Sequence, residues 1–159
     1  RIIGFQRRLV ESGAFKNPRS HIYYLPELYS AYFGRCHAAF MALPAPARRA
    51  IDPDGTFQFV RGKVLAYVED ELIAREMNPF DAALALMALA HLGADISTLT
   101  PALHCIVSHL GEGGRHGPYK AYEWNKMKTP TRILVGGPEV TSAFVLMGLA
   151  LARRAMVKR

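Results

Sequence analysis

The densest chemistry in this chain lies between residues 116 and 132, where Tyr119, Tyr122 and Trp124 alternate with Lys120, Lys126, Lys128 and Arg132. Aromatic rings can hold an extended apolar chain and stabilise a cation through their π faces, and the basic side chains can bind a diphosphate. The same interleaving also grips single-stranded nucleic acid. The plain alternative is an ordered loop whose rings plug the space between helices; long segments without regular structure are a frequent home of function. Acidic residues come next. Asp52-Pro53-Asp54-Gly55 holds two carboxylates, but the proline and glycine read as an exposed turn. Glu69-Asp70-Glu71 would bind a divalent cation only if the three converged, and consecutive helical positions point apart, which describes a solvated face.

Cys36 and Cys105 stand far apart, each beside a histidine, His37 and His104. Two lone cysteines make no disulfide framework and fit no zinc spacing, so they read as small buried hydrophobes. Cys105 and His109 share a helix face four residues apart, without an identifiable third ligand. No cofactor and no metal are expected. The thiols suit a reducing compartment such as the cytoplasm. Glycine-rich phosphate loops, serine-nucleophile motifs and His-rich metal motifs are absent from the sequence, which removes several common enzyme classes.

The elements that must carry these residues read as helices. Half of the 159 residues are apolar, enough for one domain with a real core. The formal charge of +7 favours an acidic partner, a phosphate-bearing ligand or an anionic membrane surface. The basic residues are scattered and no nucleic-acid motif accompanies them, which argues against nucleic acid. The nearly uncharged runs 82–92 and 143–152 fall short of a transmembrane span, leaving peripheral contact as the membrane option. Apolar spacing predicts a short helix to residue 11 closed at Gly13. A second runs from Pro26 to about Leu43, a short one covers 45–51, and a long one covers 57–76. Asn78 caps the next helix with Pro79 at its first position, and another starts at Thr100-Pro101. The segment 112–137 reads as irregular, with 132–135 at most an isolated extended run, and Pro138 opens the last helix. The fold class is all-α.

One helix recurs. Pro26-Glu27-Leu28-Tyr29-Ser30-Ala31-Tyr32 matches Pro138-Glu139-Val140-Thr141-Ser142-Ala143-Phe144 at four of seven positions, and residues 85–90 match 145–150 at four of six. Self-similarity at a spacing of about 50–60 residues is the mark of a helical repeat array. A second element recurs beside it: Glu11-Ser12-Gly13-Ala14-Phe15, Asp54-Gly55-Thr56-Phe57, and Glu112-Gly113-Gly114-Arg115 after His109.

Acid, glycine and aromatic followed by a buried helix resembles the repeat of the squalene and prenyl α/α-toroid superfamily, over residues 8–150. That group includes squalene–hopene-type cyclases and prenyltransferase β subunits; its repeat alternates an outer helix, a Gln-x-x-x-Gly-x-Trp turn and an inner helix lining a cavity. Phe15, Phe57 and Arg115 stand at the tryptophan position and His109 at the third copy's glutamine. The resemblance implies antiparallel helical hairpins forming part of a toroid across residues 1–159; as the chain begins at Arg1 rather than a methionine, it is expected to be a piece of a larger ring. It implies an isoprenoid or other apolar ligand lined by Tyr29, Tyr32, Phe80, Thr141 and Phe144, with the aromatic–basic loop above. In the cyclases an Asp-x-Asp-Asp motif protonates the substrate. Asn78-Pro79-Phe80-Asp81 stands at that place, with Asp81 as its one acid; the alternative for Asp81 is a first-turn carboxylate offsetting the helix dipole. Prenyltransferases hold zinc with Asp, Cys and His, and no such set is matched. The competing function is a non-catalytic helical-repeat scaffold that binds a protein partner.

Overall fold

The computed structural model describes residues 2–16, 26–114, 116–117, 119, 122–125, 132–135 and 137–157, with the side chains of Ile2, Ile3, Ile96 and both strands left aside. Seven α-helices dominate the described residues: α1 (Ile2–Glu11), α2 (Pro26–Met41), α3 (Ala45–Ile51), α4 (Thr56–Ala66), α5 (Pro79–Leu92), α6 (Ile96–Ser108) and α7 (Pro138–Val157). The chain is all-α in class.

The organising element is α5. Its residues 82–89 are all buried, because a helix apolar all round must be covered on every side. Asn78 starts it: its Oδ1 accepts hydrogen bonds from the Phe80 and Asp81 amides at 2.9 and 3.0 Å. The helix packs against α2 on one flank and α7 on the other, with α6 and α4 behind. Small residues allow this. A Cβ on Gly34 of α2 would stand 3.2 Å from the Ala88 carbonyl oxygen, and one on Gly148 of α7 only 2.9 Å from that of Ala83. Contacts advance along α2, α5 and α7 in the same direction: Glu27 meets Arg75 just ahead of α5 and Gly34 meets Ala88, while Phe80 meets Phe144. The three helices run parallel, with α4 and α6 returning antiparallel behind α5.

Helix ends are held by side chains from elsewhere. The Arg48 guanidinium donates to the Met41 and Leu43 carbonyls at the end of α2, and Arg61 donates to Leu92 O at the end of α5 at 2.6 and 3.0 Å. Cations at carbonyl-rich helix ends also offset the dipole. The Asp52 carboxylate accepts from the Thr56 and Phe57 amides at 2.8 and 2.9 Å and so caps α4, which makes the Asp52–Asp54 stretch a turn and helix start.

Four expectations change. The helix over 57–76 stops at Ala66 and continues as a π-helical turn, Tyr67–Leu72, which keeps Tyr67, Val68 and Leu72 buried against α5. The helix placed at Thr100 begins at Ile96 instead, and Pro101 lies inside it; the proline removes only the amide that would pair with the Ser97 carbonyl. Residues 132–135 are not isolated: strand β2 (Arg132–Val135) pairs antiparallel with β1 (Tyr122–Asn125), Trp124 opposite Ile133. Finally, counting only the uncharged run 143–152 understates α7. Its 20 residues, with a mean hydropathy of 1.5 over 18 of them, are long and apolar enough to cross a bilayer by length and composition alone.

The recurring glycine turns fall unevenly. Gly13 and Gly113 adopt left-handed backbone (φ 68° and 73°) between α1 and α2 and between α6 and α7. Gly55 precedes α4, and the link from α4 to α5 is the π-helical turn.

Candidate functional site

Two neighbouring regions form where the N-termini of α2, α5 and α7 meet. The first is an apolar face. Ala31 of α2 and Phe80, Leu84 and Met87 of α5 form one buried cluster, against which Leu28, Phe144, Leu151 and Tyr119 pack. The Phe80 and Phe144 rings meet edge-on with centroids 5.0 Å apart, a favoured aromatic geometry. Three of the expected site residues, Phe80, Phe144 and Tyr119, therefore converge although they are up to 64 positions apart in sequence. The loop residue Tyr119 covers a face made by all three parallel helices.

The second region is ionic. Glu27, 4 % exposed in the first turn of α2, is bound by the Arg75 guanidinium and by the Tyr67 hydroxyl, which donates at 3.3 Å. Arg75 also reaches the Asp81 carboxylate at 3.6 Å, and the Asn78 side-chain amide donates to the same Asp81 oxygen at 3.0 Å. Asp81, in the first turn of α5, is thus engaged by both a guanidinium and a side-chain amide. Burial pushes the Tyr67 hydroxyl well above its ordinary pKa, with the Glu27 charge adding to the effect. Desolvation works against the Arg75 charge, but Glu27, Tyr67 and Asp81 outweigh it and raise its pKa.

Arg75 also borders an open groove of about 560 Å³ between residues 73–77 and α6, whose α6 side includes His104, Cys105, Ser108 and His109. The Cys105 Sγ–H donates to Met77 O at 3.1 Å, and burial, followed by the Asp81 charge, raises the thiol pKa. His109 Nδ1 sits 2.9 Å from the Cys105 carbonyl oxygen but 4.0 Å from its sulfur. This cysteine stays a thiol; thiolate, the form that attacks carbonyls or binds zinc, is disfavoured. Among the described residues no three His, Cys, Asp or Glu side chains gather as a metal site.

The remaining expected residues disperse. Tyr29 turns to the other side of α2, where its hydroxyl donates to Gln6 at 2.5 Å and its ring meets Phe15 and Phe33. Burial raises its pKa. Tyr32 is half exposed on α2. Thr141 is fully buried in line with Val145, Gly148 and Ala152, and its Oγ1 finds no hydrogen-bond partner among the described residues. Tyr122, Trp124 and Arg132 lie on the strands, where only the backbone is described, and Lys120, Lys126 and Lys128 lie outside the described residues. Of the helical acids, Glu71 pairs with Lys16, while burial and the neighbouring Asp70 raise the Glu69 pKa.

Sequence reasoning missed Glu27 and Arg75. The signal for Glu27 was its place in the repeated Pro-Glu start; Arg75, 48 positions away, carried none. Comparison with protein-family models, with curated proteins and with solved structures finds no match for this chain.

Proposed function

We propose that this protein binds an isoprenoid or similarly apolar small molecule on the face that α2, α5 and α7 present together, as an α/α-toroid-like array of helical hairpins. The observation that carries the reading is the apolar cluster of Phe80, Leu84, Met87, Phe144 and Leu151, assembled from parallel helices and covered by Tyr119. In this reading α2, α5 and α7 are the inner helices, with α4 and α6 packed behind α5 as outer ones. A hydrocarbon replacing Tyr119 on this face would gain roughly 25 cal/mol for each Å² of apolar surface removed from water. Binding is favoured over acid-initiated cyclisation, because Asp81 is engaged by Arg75 and Asn78.

Titration with farnesol, geranylgeraniol and squalene, followed by intrinsic fluorescence and calorimetry, tests the proposal. Saturable binding in about the micromolar range is expected, weakened about tenfold by Phe144→Ala, equivalent to about 1.4 kcal/mol. No saturable binding of any of the three, or equal binding by the variant, would sink it. Product analysis with polyprenyl substrates covers cyclisation: turnover by the native chain that Asp81→Asn abolishes would restore the catalytic reading. A second reading, a non-catalytic scaffold for a protein partner, is favoured by one observation: Val107 and Leu110 at the end of α6 are each more than half exposed.

A further inference from the structure

Among the described residues, the outer side of α7 is apolar and bare. Opposite its buried line of Thr141, Val145, Gly148 and Ala152 lies an exposed stripe through Val140, Ala143, Leu146, Met147 and Ala150 to Val157. Leu146 is 67 % exposed and Met147 45 % exposed. Their counterparts in the internal repeat, Leu86 and Met87, are buried on α5, where Leu86 Cβ stands 3.4 Å from the position of a Cβ on Gly148. The repeated sequence thus carries a face that α7 covers on α5 and that nothing among the described residues covers on α7.

Charges bracket this stripe. Glu139 lies at its start and Arg153 and Arg154 near its end, all exposed and without an ion pair among the described residues. Glu27, the counterpart of Glu139, is bound by an arginine from a neighbouring part of the chain.

We infer that the occupant of this face is a second copy of the same chain, with the two α7 helices packed antiparallel about a two-fold axis between Leu146 and Met147. Such an axis pairs Glu139 with Arg154, Val140 with Arg153, Ala143 with Ala150 and Leu146 with Met147. A two-fold interface must be self-complementary, and this one brings opposite charges to both ends and small residues opposite small ones, which lets the helices approach closely. Residues 139, 143, 146, 150, 153 and 157 follow the alternating four-and-three spacing of a helix–helix seam. A parallel pairing would set Glu139 on Glu139 and arginine on arginine, so charge selects the antiparallel arrangement. The dimer does not depend on the ligand reading above, because this stripe lies on the outer side of α7.

Sedimentation equilibrium across roughly 1–100 μM, concentrations at which ordinary protein interfaces populate, should give about twice the 17.6 kDa chain mass. Glu139→Arg and Arg154→Glu should each raise the concentration at half-dimerisation about tenfold or more. Equimolar mixing of the two single variants should restore association as a heterodimer, and the double variant should recover the homodimer. Leu146→Glu should be monomeric, with circular dichroism confirming its fold; should it fail to fold, the charge exchange alone carries the test. A monomer at every concentration overturns the inference, including a monomer that instead pellets with phosphatidylserine vesicles. So does a dimer indifferent to the charge reversals, or a mixture that associates no better than its parts.

Discussion

Arg75→Ala isolates the interaction that ties the starts of α2 and α5 together. The Glu27 side chain is 5 % exposed, whereas that of Arg75 is 47 % exposed, so the two partners respond differently to being separated. Removing one member of a buried pair typically costs about 3–5 kcal/mol, because the remaining charge is stranded. Here the vacated guanidinium site opens to solvent, and Tyr67 keeps a long hydrogen bond to Glu27, which reduces the expected loss to about 2 kcal/mol. In a chain of 159 residues that lowers Tm by about 4–8 °C. The assay is urea and thermal unfolding followed by circular dichroism, run as a double-mutant cycle with Glu27→Gln. The double variant should lose less than the sum of the singles by about 1 kcal/mol or more, since a neutral amide no longer needs the arginine. A loss below about 0.5 kcal/mol for Arg75→Ala, or strict additivity, would refute the view that Arg75 neutralises Glu27.

Three further outcomes are expected. Gly148→Ala should destabilise by about 1–3 kcal/mol, because its Cβ would press on the Ala83 carbonyl of a closely packed neighbour; Gly62→Ala, in the exposed interior of α4 with open space around it, should stabilise by about 0.5–1 kcal/mol through helix propensity, and urea midpoints distinguish them. His37 and His91 both have lowered pKa values, from burial first and then from Arg61 and Arg35 respectively. His37 is 5 % exposed, with neither ring nitrogen partnered among the described residues. A lowered imidazole pKa means the unfolded chain takes up protons first, so this contribution is whole above about pH 6.5 and is lost progressively as pH falls below it. Urea midpoints from pH 7.5 to 5.5 should decline, and less steeply for His37→Leu; equal slopes would contradict the assignment. Iodoacetamide should modify the exposed Cys36 well before Cys105, whose thiol is held by Met77 O and raised in pKa, with peptide mass spectrometry reading the order.

Helix identities were legible wherever local chemistry sufficed. Asn78-Pro79 announced α5 because an N-cap and a first-turn proline act within three residues, and the nearly uncharged apolar run 82–92 announced a covered helix. The starts of α2 and α7 could be read from Pro26-Glu27 and Pro138-Glu139, because a proline suits the first turn of a helix. The π-helical turn could not, since the four-residue spacing of Val64, Val68 and Leu72 fits an α-helical and a wider turn alike, and what Tyr67 and Leu72 must reach selects between them. Pro101 misled because proline favours a helix start but tolerates an early interior position when only one amide is lost. The strand pair also escaped, as four residues show no period until a partner fixes their register.

The candidate site divides along the same line. The resemblance singled out Phe80 and Phe144, and the aromatic–basic interleaving Tyr119, as able to line an apolar face, but only packing brought them together and turned Tyr29 away toward Gln6. It also set Asp81 within reach of Arg75, at 3.6 Å. Sequence determined which helices exist and which faces are greasy, because capping, proline geometry and hydrophobic period are local. Tertiary structure decided which carboxylate meets which guanidinium and which Leu-Met pair is covered. Those outcomes depend on the approach of helices tens of residues apart, set by Gly34 and Gly148 where the backbones touch.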